Sequence, residues 1–168
     1  MCSIFNGLER DRGELDVSIM KLRPAGEDDL QTLAVLNRQL LDDEGHPSPV
    51  TLPDLVDRHR DWLGTGEWTQ DILEVDGMVV GYIVHGLNPY PLDPQVPERF
   101  IRQFCIDRAY RRHGLGRDAF ELFMEMRLEP GGRVTLDVLE SNPAGQAFWQ
   151  AVGCRPFFHR LEAFRPLA

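Results

Sequence analysis

The apolar positions of this chain change their spacing several times, and each change marks an element. Val17, Ile19 and Leu22 are spaced as a first strand, while residues 1–16 are polar and unpatterned and read as a flexible N-terminal extension. Glu27, Asp28 and Asp29 suit the positive first turn of a helix, in which Leu30, Leu33, Ala34, Asn37, Leu40 and Leu41 keep helical spacing to about residue 42. Thr51 caps a second helix with Pro53 in its first turn; Leu52, Leu55, Val56, His59 and Leu63 share one face, and Gly64 and Gly66 end it. Residues 69–76 and 78–87 form a hairpin around Asp76-Gly77, a strong short-turn signal.

Four prolines (Pro89, Pro91, Pro94 and Pro97) make residues 88–97 an ordered loop or flap. Strand character resumes at Phe100, Ile101, Phe104 and Ile106. Leu115, Ala119, Leu122, Phe123 and Met126 then predict a helix that stops near Pro130-Gly131-Gly132, followed by a strand at Val134, Leu136 and Val138. In the next helix Asn142 is the N-cap, Pro143 takes the first position and Gly153 the C-terminal cap, with Ala144, Ala147, Phe148, Ala151 and Val152 as the buried stripe. Residues 154–165 are expected as a last strand or pair, with Phe157, Phe158 and Phe164 as core or edge aromatics. The order β-α-α-β-β-β-α-β-α-β predicts an α/β fold: one domain over residues 17–168 with a mixed, mostly antiparallel central sheet and helices on both faces.

Composition narrows the function. The 168 residues carry 18 Lys+Arg against 27 Asp+Glu, a formal charge of −9, which argues against a nucleic-acid partner. The charge is also uneven: residues 1–96 hold 18 acids and 7 bases, and residues 97–168 hold 9 acids and 11 bases. A small cationic partner fits the acidic half. Cys2, Cys105 and Cys154 form no CxxC pair and suggest neither a disulfide framework nor a zinc site, so a reducing, cytoplasmic setting without a metal is expected. No stretch is long and apolar enough for a membrane span.

The chemistry concentrates at Arg111-Arg112-His113-Gly114-Leu115-Gly116-Arg117, between a strand and a helix. Free N–H groups at a helix start accept anionic oxygens, and glycines let the backbone approach a pyrophosphate closely. Taken alone, Gly114 and Gly116 would mark only a tight turn. No GxGxxG or GxxxxGK[ST] loop accompanies them, which disfavours NAD and ATP.

The pattern Arg111-x-x-Gly114-x-Gly116 resembles the acetyl-CoA pyrophosphate motif of the GNAT acetyltransferase superfamily, and Asn142 to Gly153, with Ala147-Phe148-Trp149, resembles its second motif. The resemblance implies an enzyme that moves an acetyl group from acetyl-CoA, a co-substrate, to a primary amine by direct attack in a ternary complex. Main-chain groups of Phe104 and Ile106 would hold the pantetheine arm, and amides of His113, Gly114, Leu115, Gly116 and Arg117 the pyrophosphate, with Arg111 and Arg112 adding charge. The strands around residues 100–107 and 133–139 would splay to admit the thioester. Asn142 would contact the cofactor arm or cap its helix. Trp149 stands where many members carry a Tyr that protonates the leaving thiolate, and an indole N–H cannot act as such an acid.

Attack needs a neutral amine, hence a proton acceptor. Members of the family often place a Glu on the strand before the phosphate loop; here Arg102 and Gln103 occupy that region. The remaining candidates are Asp137, Glu98, and the run Asp42-Asp43-Glu44 followed by His46. The expected acceptor is a small cationic amine or a protein amine, and a homodimer is allowed. The alternative is a catalytically weak or inactive acyl-CoA-binding sensor of the same fold. Cys105 reads as a small buried apolar side chain, His59 as structural, and His85 as bordering the cleft.

Overall fold

The structure is a computed structural model and describes residues 19–45, 49–88, 95–158 and 160–165. In chain order the elements are β1 (Met20–Pro24), α1 (Leu30–Asp43), α2 (Leu52–Thr65), β2 (Thr69–Val75), β3 (Met78–Leu87), β4 (Glu98–Ile106), α3 (Leu115–Arg127), β5 (Arg133–Leu136) and α4 (Pro143–Ala151). Local chemistry explains several boundaries. The Thr51 hydroxyl accepts from the Asp54 N–H while the Asp54 carboxylate accepts from the Thr51 N–H, a reciprocal cap that fixes the start of α2. Asn142 Oδ1 accepts from the Gly145 N–H at 2.8 Å and starts α4. Asp76 and Gly77 both have positive φ, 51° and 77°, as the tight β2–β3 turn requires.

The five strands lie in the order β1-β2-β3-β4-β5, antiparallel except for the parallel pair β4–β5. Leu33, Leu36 and Trp62 from α1 and α2 pack against one face, over Ile72, Tyr82 and Val84. Ala119, Phe120 and Phe123 of α3 cover the other, over Leu73, Val80 and Ile83, and Trp149 of α4 joins that layer. Burying each large apolar side chain contributes about 1.5–3 kcal/mol, so these two layers hold the sheet from both sides.

Polar groups are buried between the sheet and α3. Asp71 makes two hydrogen bonds with Arg127, each 2.8 Å, and accepts from His85 Nε2 at 2.9 Å, while Arg99 donates to His85 Nδ1 at 3.3 Å. His85 therefore belongs to a closed network under α3 and does not border the cleft, contrary to the sequence expectation. Alternation along β3 puts His85 on the same face as Ile83, the one α3 covers, where its ring meets Phe123 edge-on.

The expected last strand is absent from the described residues: 154–158 and 160–165 add no sixth strand. Pro156 has no N–H for a ladder, and Phe157, Phe158 and Phe164 are 52%, 60% and 83% exposed, not core aromatics. Residues 1–16, with Val17, and most of the proline loop, 89–94, lie outside the described residues; the loop's base is closed by the Asn88 N–H donating to the Glu98 carbonyl.

Candidate active site

A parting of two strands makes the site. β4 and β5 pair only from Glu98↔Arg133 to Ile101↔Leu136; beyond that, β4 continues to Ile106 beside β3 alone. Val84 faces Gln103 and His85 faces Ile101, so Arg102 is an extra residue, a bulge that turns β4 away from β5. A cleft of about 520 Å³ opens between them. Phe104 and Ile106 line its β4 wall, Asp137 and Asn142 come from the chain after β5, and α4 supplies Phe148 and Trp149.

At one end of the cleft the chain turns into α3. Gly114 sits at the helix start with φ +83°, a conformation that suits glycine, and no side chain caps the helix there. The Arg117 N–H already donates to the Gly114 carbonyl at 2.9 Å, and the Leu115 and Gly116 amides are left without a partner among the described residues, with the helix dipole behind them. Gly116 is needed for a different reason: a Cβ there would lie 3.0 Å from the Phe148 ring, so its absence lets α3 and α4 approach. Arg112 has φ +67° and no hydrogen bond or ion pair among the described residues. Arg117 donates to the Ala151 carbonyl at 2.7 Å, tying α3 to the end of α4.

Residues 36–154 match the family model described as the acetyltransferase (GNAT) family. The chain belongs to the GNAT acetyltransferase family. Solved structures agree on the fold of this GNAT chain. A possible acetyltransferase from Clostridium difficile 630 superposes with a TM-score of 0.72 at 18% identity, covering 89% of this chain and 99% of that one. A predicted acetyltransferase from Clostridium acetobutylicum, solved with acetyl-CoA, gives 0.66 at 15% identity, covering 87% and 96%. An aminoglycoside N-acetyltransferase in complex with CoA gives 0.66 at 19% identity, covering 94% and 98%. No curated protein matches the sequence.

Most of the residues expected in the GNAT cofactor site meet at the cleft: Phe104, Ile106, Arg111, Arg112, Gly114, Gly116, Arg117, Asn142 and Trp149 all line it. His113 and Leu115 do not. Arg111 is engaged within the chain. Its Nε donates to the Ile106 carbonyl at 2.7 Å and its Nη2 lies 2.7 Å from Asp43, so its charge is already paired. Asn142 acts as the helix cap. Trp149 packs edge-on against Phe104, Phe120 and Phe148, with ring centres 4.9–5.4 Å apart.

Among the proton-acceptor candidates, Asp137 and Glu44 both line the cleft. Asp137 lies just past the end of β5, with Arg160 Nη2 at 2.9 Å. Glu44 follows α1, and the Ser141 hydroxyl donates to its carbonyl at 2.7 Å, which ties the end of α1 to the turn before α4. His46 lies outside the described residues. Glu98 is excluded by geometry: it is buried at the paired end of β4–β5, bonded to Arg133 and Thr135 at 2.8 and 2.9 Å, away from the cleft. Asp43 is also committed elsewhere. Burial alone would raise its pKa, but hydrogen bonds from Arg108 and Arg111 outweigh that and hold it below the usual carboxylate range.

Cys105 is buried against α1, and burial pushes its thiol up to about 12, which leaves it inert as a nucleophile. His59 is structural: it is wholly buried, its Nδ1 lies 2.5 Å from Gln70 Oε1, and burial lowers its pKa. Two features escaped the sequence reading. One is the Asp43 link between α1 and the phosphate loop; the other is Arg102, whose guanidinium lies over the rings of Trp62 and Trp68 at 5.3 and 5.0 Å. Two tryptophans six residues apart were the only local signal for the latter.

Proposed function

We propose that the protein transfers the acetyl group of acetyl-CoA to a primary amine by direct attack in a ternary complex. The observation that carries this reading is the parting of β4 from β5 beyond Ile101↔Leu136, opening directly onto the uncapped start of α3. A long thiol ester with an anionic end needs both features, a strand edge for its amide-bearing arm and helix amides for its phosphates. The cradle fits: Gly114 leaves the turn open, Gly116 keeps the α4 ring close, and Arg112 is free to add charge.

Acetyl-CoA, when bound, supplies the activated acetyl group. The chain's own residues do the rest. Main-chain groups of Phe104 and Ile106 line the arm, with the Ile106 carbonyl already taken by Arg111. Amides from His113 to Gly116 hold the pyrophosphate, and that of Arg117, bonded to the Gly114 carbonyl, stands behind them. Asp137 takes the proton of the incoming ammonium, directly or through water, and Glu44 adds negative charge beside the amine; these carboxylates suit an ammonium group. His46 remains a further candidate for the proton. Trp149 shapes the wall near the sulfur through packing and donates no proton, and a thiolate with a pKa of ~8.5 leaves without an acid. One domain over residues 17–168 acting in the cytoplasm, on a free or protein-borne amine, completes the proposal.

The rival reading is a sensor that binds acyl-CoA without turnover. No observation favours it over an enzyme, and one assay separates the two. Calorimetry establishes acetyl-CoA binding, and release of free CoA thiol is then followed across a panel of primary amines. Amine-dependent release supports the enzyme; binding with no release from any amine overturns it in favour of the sensor.

A further inference from the structure

Arg102 is a charged cleft residue whose setting neither the cofactor nor the proton transfer explains. It is the bulged residue of β4, exposed and lining the cleft, and its guanidinium is stacked on Trp62 and Trp68. Cation–π contact with two indoles restrains the group and leaves its N–H donors without a hydrogen-bond partner among the described residues. Among the described residues it has no carboxylate partner, whereas Arg108 and Arg111 are both paired with Asp43. A free guanidinium held still on two indoles is a preorganised anion receptor, because little side-chain entropy remains to be lost on binding.

The neighbouring residue has the same polarity. The Tyr82 hydroxyl donates to Gln103 Oε1 at 3.1 Å. Burial pushes the Tyr82 pKa well above its usual value, so the phenol stays protonated and remains a donor. With its oxygen occupied, the Gln103 amide offers its NH₂ to the cleft it lines. Arg102 and Gln103 thus form a donor surface where two donors would repel an ammonium group. The strand rise of about 3.3 Å per residue puts Arg102 roughly 13 Å along β4 from Ile106, too far up the strand to share the pyrophosphate held at the start of α3. The anion it awaits belongs to the acceptor.

Building on the amine-acetyltransferase reading, we infer that the acceptor carries an anionic oxygen group, a carboxylate or a phosphate, bound by Arg102 and Gln103, in addition to the amine that faces Asp137 and Glu44. The acceptor is then an amino acid-like or aminoalkyl phosphate molecule. In the reaction the amine nitrogen bonds to the acetyl carbon, the carbon–sulfur bond breaks with its electrons going to sulfur, and the ammonium proton leaves to the base; the anionic group is untouched.

The test uses three sets of acceptors of matched length: ω-amino acids, their primary amides and aminoalkyl phosphates, followed by CoA thiol release. One acidic set should exceed the amides in kcat/KM by on the order of 10- to 100-fold, the range for a hydrogen bond to a charged group. Which acidic set is better identifies the group. In Arg102→Gln that preference should collapse toward unity through the acceptor KM, with the KM for acetyl-CoA and the thermal midpoint unmoved, and Arg102→Lys should recover part of it. Turnover of amides as good as that of both acids, or a preference that survives Arg102→Gln, overturns this inference and leaves the amine-acetyltransferase reading standing. No thiol release from any amine by a protein that binds acetyl-CoA overturns both.

Discussion

Asp43, the last residue of α1, lies 2.7 Å from the Arg111 guanidinium and 2.6 Å from that of Arg108, joining the acceptor-side helix to the turn that leads into α3. This link ties Asp43 to the glycine turn, although the acidic run it belongs to reads from sequence as a set of proton-acceptor candidates. Asp43→Ala should therefore raise the KM for acetyl-CoA several-fold, more than that of the amine. Partly exposed pairs contribute about 1 kcal/mol at most, so the thermal midpoint should drop by only ~2–4 °C. A change confined to the amine KM would return Asp43 to the proton-acceptor candidates.

Gly114 and Gly116 should fail differently. Gly114→Val forces a branched side chain into a left-handed backbone and moves the amides beside it, so acetyl-CoA affinity should fall more than tenfold by calorimetry while the fold persists. Gly116→Val pushes on the Phe148 ring and should lower the thermal midpoint as well as affinity. Unchanged affinity in both variants would remove the phosphate-cradle assignment.

The Asp71 network sets an acid limit on stability. Burial alone would raise the Asp71 pKa, but hydrogen bonds from Arg127 and His85 outweigh that and lower it. A carboxyl with a depressed folded pKa stabilises fully above its unfolded value, near 3.9, and loses that contribution as pH falls through the folded value. Denaturant unfolding should therefore show stability falling steeply below about pH 4. Asp71→Asn should cost about 3 kcal/mol at pH 7, because it strands buried His85 and the half-buried Arg127, and should flatten the acid slope. An acid slope unchanged in the variant would place that linkage elsewhere.

Trp149→Phe should keep turnover within about tenfold of wild type, equivalent to ~1.4 kcal/mol of barrier, and lower the thermal midpoint by a few degrees as its three ring contacts weaken. Trp149→Tyr, which restores a hydroxyl, should equal or exceed wild type. A collapse of turnover in the Phe variant, with affinity for acetyl-CoA and stability intact, would assign the indole a catalytic role.

What the sequence made legible was local. The Thr51 cap, the Asp76-Gly77 turn and the Asn142 cap each depend on residues within three positions, and each formed where expected, with Asp54 completing the first of them reciprocally. The family motifs were legible for the same reason, being contiguous. Longer-range pairing was not: Arg108 meets Asp43 across 65 positions, and Arg102 finds its indoles only because a bulge turns it onto their face. Glu98 and His85 looked like candidates because a strand position does not disclose which neighbours satisfy a polar group. The last strand was expected from an apolar pattern alone, but a ladder needs a partner edge, and β5 stops at Leu136.

Direct attack in one cleft makes a kinetic prediction that a thiol intermediate does not share. Initial rates measured by CoA thiol release, with acetyl-CoA and the amine varied against each other, test it most directly. A ternary complex predicts intersecting double-reciprocal lines and an enzyme whose intact mass stays unchanged when acetyl-CoA is supplied without amine. Parallel lines, with an acetyl group carried on the protein before the amine arrives, would contradict it.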